Sequence, residues 1–327
     1  MAVNWNAQRV LVVGVGSAGR RHARILRDFG IRELWICDPS EEQREACKEE
    51  GAVTREFSAI ERAIAAQPDA AILCTHTETH VPLSIDALNA GIHVLCEKPL
   101  STSLKRVDEL ERAIERSGKV FAVAFCFRFH EGIAKAKEYL DAGRIGDLVS
   151  IRCFMGENID EVMPPQQSAH YKKIGGAFEL VHEIDLACWL AGHDVAEVQC
   201  IHGAYSDLGF AASDTIEINI RFGERCIGSV HLDFFARPRT RVTELRGTQG
   251  TIAIEFARWD ECVVSVYDVA TGSWNRESMA TDRDHMFRSE DEEFLRAIVE
   301  GTPVTCPLSE ALKSQRILEE AKSSRQA

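Results

Sequence analysis

Residues 9–21 read RVLVVGVGSAGRR, and this stretch decides the fold of the first part of the chain. Arg9–Val13 is a short apolar run typical of a buried strand, and a glycine-rich turn follows it at once. The residues after the turn keep apolar side chains at helical spacing, which predicts an amphipathic helix over 17–29. A strand, a glycine turn and a helix in this order predict the first unit of a doubly wound parallel sheet.

The turn itself has the spacing G-x-G-x-x-G, which acquires chemical meaning only between a strand and a helix. The first glycine permits the tight turn, the second lets backbone N–H groups approach a pyrophosphate, and the third lets the helix pack close to the strand. The N-terminus of the helix adds N–H groups and a positive dipole end. We therefore expect five residues to hold dinucleotide phosphates: Gly14, Gly16, Ser17, Ala18 and Gly19.

Asp38 ends the second predicted strand, Glu33–Cys37, and lies about 20 residues after Gly19. An acidic residue at this distance accepts hydrogen bonds from the adenosine ribose hydroxyls of a dinucleotide. A carboxylate repels a 2′-phosphate, and no arginine follows in the segment DPSEE, residues 38–42. The predicted cofactor is therefore NAD, and NADP is left open as the alternative.

The two halves of the chain differ in pattern. Apolar strand-like runs alternate with helical stretches up to about residue 124, which predicts a Rossmann domain over 1–124. The second half crowds its strands together, and Ile216, Ile218 and Ile220 alternate with polar residues. This predicts an α+β domain over 125–327, whose open sheet is mixed, largely antiparallel and polar on one face. We expect a polar loop over 157–174 and a continuous helix over 176–190.

Composition excludes several classes of protein. The formal net charge of -13 disfavours nucleic acid as a partner. No run approaches the roughly 18 apolar residues of a membrane span, and the opening MAVNWNAQRV lacks the pattern of a signal peptide. The eleven cysteines are irregularly spaced without a CxxC, which suits buried thiols in a reducing compartment. We expect a cytoplasmic protein.

Glu97-Lys98-Pro99 ends the predicted fifth strand of the Rossmann half. Ligands of such sheets bind outside the carboxyl ends of the strands, so Glu97 and Lys98 are expected beside the nicotinamide end of the cofactor. A lysine in such a place can polarise a substrate oxygen or transfer a proton. Most lysines are simply solvated on the surface, but the position of Lys98 at a strand end favours a catalytic role.

At this point the chain resembles the glucose–fructose oxidoreductase, inositol dehydrogenase and MocA (Gfo/Idh/MocA) family. The similarity is carried by GVGSAGRRHA, CTHTETHVPLSIDALNAGIHVLCEKPL, FRFHEGIAKAKEYLDAGRIGDL and IGGAFELVHEIDLACWLAG, in that order. It implies an NAD(P)-dependent oxidoreductase that acts on a CH–OH group, or the matching ketone, of a sugar, cyclitol or sugar derivative. The alternatives are a non-catalytic NAD(P)-binding regulator or sugar sensor on the same fold, and a reductase of a tetrapyrrole or an aromatic diol.

The resemblance also implies where the second catalytic group lies. Within residues 175–185, Glu179, His182 and Asp185 are three apart, so on a helix they would share one face. We expect His182 to be the acid/base partner of Lys98 and Glu179 to orient His182 or contact the substrate. Many family members carry an aspartate four residues before the histidine, where this chain has Phe178, and this departure leaves the role of Glu179 in doubt.

The remaining expectations concern ligands and partners. The resemblance places Thr75 and His80 along the cofactor, and the residues expected to contact a sugar-like substrate are Arg128, Tyr171, Lys172 and Asp185. No metal is expected, because no cysteine or histidine cluster has suitable spacing and the resembled family works without one. An open sheet face needs a cover, so we expect a homodimer or homotetramer.

Overall fold

The computed structural model describes residues 5–51 and 53–324. Residues 1–4, at the start of the segment considered for a signal peptide, lie outside the described residues, as do 52 and 325–327. The chain folds into two compact units, residues 1–126 with 287–311 and residues 127–286 with 312–327. The division at residue 124 assigned the whole C-terminal part to the second domain, whereas 287–311 belong to the first unit. Phe294 and Leu295 lie in the core of that unit, which explains the difference.

The first unit is built on a six-stranded parallel sheet in the order β3-β2-β1-β4-β5-β6. The predicted doubly wound Rossmann sheet is confirmed. Its strands are β1 Arg9–Val13, β2 Glu33–Cys37, β3 Arg55–Phe57, β4 Ala70–Leu73, β5 His93–Glu97 and β6 Phe121–Ala124. The helices of residues 1–126 are α1 Ser17–Asp28, α2 Glu41–Glu49, α3 Ile60–Ala65, α4 Thr77–Asn89 and α5 Val107–Ser117.

The second unit is built on an eight-stranded sheet in the order β14-β13-β12-β11-β7-β10-β9-β8. β7 and β10 are parallel and every other neighbouring pair is antiparallel, which confirms the predicted mixed sheet. The strands are β7 Leu148–Gly156, β8 Val195–Gly203, β9 Thr215–Phe222, β10 Cys226–Asp233, β11 Thr240–Gly247, β12 Gly250–Glu255, β13 Glu261–Asp268 and β14 Ser273–Ala280.

The remaining helices of the described ranges are α6 Glu131–Asp141, α7 Ile159–Val162, α8 Pro165–Lys173, α9 His182–Ala191, α10 Arg283–Glu300 and α11 Leu308–Ser323. Helices cover one face of the eight-stranded sheet, and α9 packs against β7 and β10. The other face is open. One row of paired residues across it runs from Ile201 through Glu217 and His231 to Phe154. Ile201 and Ile227 on this face are 61% and 62% exposed, so apolar surface faces outward.

Two expectations about residues 157–190 were wrong. The segment 157–174 is not a plain loop, because it contains the short helices α7 and α8. The helix expected over 176–190 is broken: a 3-10 turn covers Gly176–Glu179, and α9 begins only at His182. The break lies at Leu180, whose ψ of 56° is far from the helical value. Glu179 therefore does not share a helical face with His182 and Asp185.

Within the described ranges, no helix combines the length and the apolar run that crossing a bilayer requires. All eleven cysteines lie in these ranges, none forms a disulfide, and nine are buried. Their placement agrees with the expected use of cysteine as a small core residue.

Candidate active site

The glycine turn of the first unit has the geometry of a phosphate cradle. A Cβ at Gly14 would lie 2.6 Å from the carbonyl oxygen of Cys74, and a Cβ at Gly19 would collide with the carbonyl oxygen of Gly14. These glycines are therefore required by backbone packing. Gly16 differs, because a Cβ there would meet nothing within 4 Å. Gly16 is the N-cap of α1 and provides no side-chain cap, so it leaves open space at a helix N-terminus, as a pyrophosphate requires.

Asp38 is fastened beside this turn. Its Oδ2 accepts a hydrogen bond from the Val15 N–H at 2.9 Å, and its Oδ1 accepts one from the Ser40 N–H at 2.8 Å. The carboxylate thus ties the end of β2 to the glycine turn and keeps unused lone pairs on both oxygens. Arg44 donates to the Asp38 main-chain carbonyl at 2.7 Å and pairs with Glu56, so its charge has acidic and carbonyl partners already. This arrangement fits the adenosine ribose of NAD.

The Glu97-Lys98-Pro99 turn follows β5 at the carboxyl edge of the same sheet. The Lys98 N–H donates to Glu97 Oε2 at 3.0 Å, and His22 Nε2 lies 3.4 Å from Glu97 Oε1. Burial alone would raise the pKa of Glu97, but the contacts with His22 and Lys98 hold it below its usual value. The Glu97 carboxylate is therefore an anion with protein partners on both oxygens. Its contact with the cofactor stays a prediction.

Thr75 lies in the loop after β4, and His80 lies in the first turn of α4, not in the loop as expected. Thr75 Oγ1 lies 2.7 Å from Thr79 Oγ1. His80 is buried, and its ring nitrogens lie 2.9 Å and 3.0 Å from the carbonyl oxygens of Pro99 and Thr75. His80 thus links this loop to the turn that carries Lys98. Its contact with the cofactor also stays a prediction.

In the second unit, His182 begins α9 and is half-buried. Its ring stacks on Phe127, with the centroids 4.2 Å apart and the planes at 16°. The guanidinium carbon of Arg241 lies 4.6 Å from the centre of the Phe127 ring, and Arg241 Nε lies 2.7 Å from Glu183 Oε1. A buried ion pair next to His182 and an aromatic ring beneath it therefore restrict the orientation of the imidazole.

The four predicted substrate residues and Glu179, the third catalytic candidate, have different surroundings. Arg128 and Asp185 bind each other. Tyr171 packs edge-on against Phe234 with the ring centroids 5.5 Å apart, and the Lys172 ammonium lies 2.7 Å from Asp160 Oδ2. The Glu179 carboxylate folds back over Gly175. The contacts of these residues with a substrate stay predictions.

Two polar residues after β7 were missed by sequence reasoning. Glu157 is buried, and its Oε2 lies 2.9 Å from Arg239 Nε. Asn158 is 2% exposed, and neither its Oδ1 nor its Nδ2 has a hydrogen-bond partner among the described residues. A buried amide without partners costs free energy unless a ligand or water satisfies it. The only sequence signal was their position directly after an alternating strand.

Comparison with known proteins agrees with this geometry. Residues 8–125 match the model of an oxidoreductase family with an NAD-binding Rossmann fold, and residues 133–253 match the GFO/IDH/MocA C-terminal domain. A myo-inositol 2-dehydrogenase of Thermotoga maritima is 29% identical over 68% of this chain and 67% of its own. An inositol 2-dehydrogenase of Corynebacterium glutamicum is 31% identical over 61% of this chain and 59% of its own. The match thus spans about three fifths to two thirds of these relatives.

The solved structure of levoglucosan dehydrogenase, in complex with NADH and levoglucosan, aligns with a TM-score of 0.85 at 20% identity over 96% of each chain. At that identity the likeness establishes the fold alone. The two family models, matched in order along the chain, establish more. The chain belongs to the Gfo/Idh/MocA family of NAD-dependent oxidoreductases, and its first unit is the NAD-binding domain.

Proposed function

We propose that this protein oxidises a secondary hydroxyl of a sugar, cyclitol or sugar derivative, or reduces the matching ketone, with Lys98 and His182 as its acid/base groups. The observation that carries the proposal is the position of Lys98. It directly follows the carboxyl end of β5, at the sheet edge where the glycine turn follows β1 and Asp38 follows β2. Parallel sheets of this class hold dinucleotide and substrate at that edge.

His182 is proposed as the second group because its environment suits proton transfer. The ring is half-buried and oriented by Phe127, so it keeps access to solvent or ligand without free rotation. Acid/base catalysis requires such a positioned side chain, and an imidazole titrates close to neutral pH. Asp185 and Glu183, on the same helix, are each committed to a buried arginine, which leaves His182 as the group on α9 best suited to a substrate proton.

In the oxidative direction, the Lys98 ammonium donates a hydrogen bond to the reacting oxygen and stabilises the negative charge that grows there. His182 takes the hydroxyl proton, and in the reverse direction it returns this proton to the ketone oxygen. Bound NAD would supply the acceptor for the hydride that leaves the substrate carbon, and the side chains of the protein would supply position and electrostatics.

The proposed substrate class rests on polarity and on the relatives. The segment of sequence that joins β7 to α9 carries several hydrogen-bonding side chains, as a ligand rich in hydroxyls requires. They are those of Asn158, Tyr171, Lys172 and Glu179. The matched relatives are inositol dehydrogenases, and the aligned structure is a levoglucosan dehydrogenase.

An absorbance screen at 340 nm tests the proposal. Purified protein with NAD or NADP is mixed with inositols, levoglucosan, aldoses, amino sugars and sugar acids, alongside a His182→Asn variant. We expect NAD reduction with a polyol and a loss of at least about a hundredfold in the variant. Binding of NADH by fluorescence, with no turnover of any panel member in either direction, would instead favour a regulator or a sensor.

We further propose that the open face of the eight-stranded sheet forms a homodimer or homotetramer contact. Ile201 and Ile227 expose apolar surface there, and Phe154 on the same face is 37% exposed. Light scattering after gel filtration should show an oligomer that Ile227→Glu dissociates. Val299→Glu, at an exposed position of α10 outside this sheet, is the matched control. A monomeric wild-type protein would contradict the proposal.

A further inference from the structure

Four ionisable groups, three of them buried and the fourth, Glu97, half-buried, lie together next to Lys98 in the first unit. His22 comes from α1, Glu97 from the end of β5, and Glu290 and Asp291 from α10. His22 and Asp291 are fully buried, and Glu290 is 4% exposed. Burying such groups is costly unless they are paired or used. Neither the phosphate cradle nor the proposed acid/base pair accounts for them.

The contacts among these groups form a continuous line that ends at Lys98. Asp291 Oδ1 lies 2.7 Å from His22 Nδ1, and His22 Nε2 lies 3.4 Å from Glu97 Oε1. The other oxygen of Glu97, Oε2, accepts the Lys98 N–H at 3.0 Å. One helix from the C-terminal part of the chain is thereby connected to the main chain of the lysine.

The charge of His22 follows from its two neighbours. A carboxylate oxygen beside each ring nitrogen calls for two N–H donors, and only the imidazolium has both. Burial disfavours the charged form, but Asp291 and Glu97 outweigh it and hold the pKa of His22 well above its ordinary value. The ring is also packed edge-on against Phe287, with the centroids 6.2 Å apart, which fixes its plane.

The geometry points to His22 and Asp291 as positioning residues that hold the Glu97 carboxylate on the main-chain N–H of Lys98. Asp291 orients the imidazolium, the imidazolium neutralises and anchors Glu97, and Glu97 fixes the backbone from which Lys98 projects. This inference rests on the proposed function in one respect only, namely that Lys98 is the group whose position matters for catalysis. Positioned residues need such support, because small displacements cost large factors in rate.

Glu290 raises a competing interpretation. Its carboxylate oxygens have no hydrogen-bond partner among the described residues, and His22, Glu290 and Asp291 each bring one possible ligand atom within 4.8 Å of the others. A cation would need a ring nitrogen with a free lone pair, which the imidazolium lacks. Burial and the nearby Glu97 carboxylate raise the pKa of Glu290 well above its usual range, which favours the neutral form of this carboxyl over a metal-binding carboxylate.

The test compares two variants of His22 and needs no known substrate. His22→Gln can place an amide donor near the Nε2 position, toward Glu97, whereas the shorter His22→Asn reaches only the Nδ1 position, toward Asp291. Full-length protein is treated with an amine-reactive acylating reagent over a range of pH. The rate of Lys98 modification is then followed by peptide mass spectrometry.

We expect His22→Asn to move the midpoint of Lys98 labelling upward by about one pH unit, which makes labelling about tenfold slower below the midpoint. The cause is the Glu97 carboxylate, which then faces Lys98 without a compensating charge. His22→Gln keeps a hydrogen-bond donor to Glu97 but loses the positive charge. Its labelling midpoint should therefore lie between those of the wild type and His22→Asn. Ile25→Val, on the same helix and fully buried, should lower thermal stability without moving the midpoint.

Three results separate the outcomes. An unchanged Lys98 profile in folded His22→Asn would overturn the inference and leave the proposed function intact. Full turnover by Lys98→Met, together with a shifted profile in His22→Asn, would overturn the catalytic role proposed for Lys98 and leave the Lys98 anchor intact. One equivalent of divalent metal in the purified protein, lost in Glu290→Gln, would overturn the positioning role in favour of a metal site.

Discussion

Arg128 and Asp185 form a buried, two-point ion pair. Arg128 Nε donates to Asp185 Oδ2 at 2.9 Å, and Nη2 donates to Oδ1 at 2.7 Å. The two side chains are 0% and 1% exposed. Asp185 lies three residues after His182 on α9, so the pair anchors the helix that carries the proposed catalytic histidine. The matched planar geometry explains why an arginine stands at position 128.

We predict that Asp185→Asn destabilises the protein by about 3–5 kcal/mol, because it leaves the Arg128 guanidinium buried beside a neutral partner. Urea unfolding measures the change. Glu138→Gln is the control, because Glu138 pairs with Lys135 at the surface, where solvent screens the ion pair and leaves it little effect on stability. Equal free energies of unfolding for the two variants would show that the buried ion pair stabilises the protein no more than the surface pair does.

The glycine turn allows binding and folding to be separated. Gly19→Ala should lower the melting temperature, because the new methyl group collides with the Gly14 carbonyl. Gly16→Ala should leave it nearly unchanged, since that Cβ meets open space, but should weaken NADH binding at least about tenfold by occupying the pyrophosphate position. Calorimetry and NADH fluorescence give the two readouts. Normal NADH affinity in Gly16→Ala would contradict the assigned cradle.

A pH dependence of stability is predicted for His231 on the open sheet face. Its Nε2 lies 3.1 Å from Asp233 Oδ2 and its Nδ1 lies 2.7 Å from Glu217 Oε2. The contacts with Asp233 and Glu217 outweigh burial and raise the pKa of His231 from 6.5 to about 9. The raised value means that the folded state binds the proton more tightly, so this stabilisation is complete below pH 6.5 and lost as the pH rises through about 9.

Thermal melts of wild type and His231→Gln between pH 6 and pH 10 check this. The difference in melting temperature should be largest near pH 6 and should shrink toward pH 10. A difference that stays constant across this range would show that only packing against Phe154, with which the ring stacks at 4.5 Å, is lost in the variant.

The Rossmann half was predictable because its signals are local. A buried strand, a glycine turn and an acidic residue at the end of the next strand follow one another within about 30 residues, and each has a direct physical reason. The alternation around Ile216–Ile220 likewise predicted one polar face for the second sheet. The structure has these elements at those positions.

The predictions from sequence failed where residues far apart along the chain determine the structure. The sequence around Leu180 contains no signal for a helix break, so Glu179 was predicted to lie on the same helical face as His182. Residues 287–311 join the first unit through Phe294 and Leu295, whose partners lie far away along the chain. His22 and Asp291 are 269 positions apart, so no spacing rule could connect them.

The most direct test of the central claim is the turnover of Lys98→Met. With NAD and the best polyol from the screen, absorbance at 340 nm should show that the variant has lost at least about a hundredfold in kcat. NADH titration should give a dissociation constant close to that of the wild type, because the phosphate cradle and Asp38 are untouched. Near-normal turnover by Lys98→Met would contradict the assignment of Lys98 as a catalytic group and the mechanism built on it.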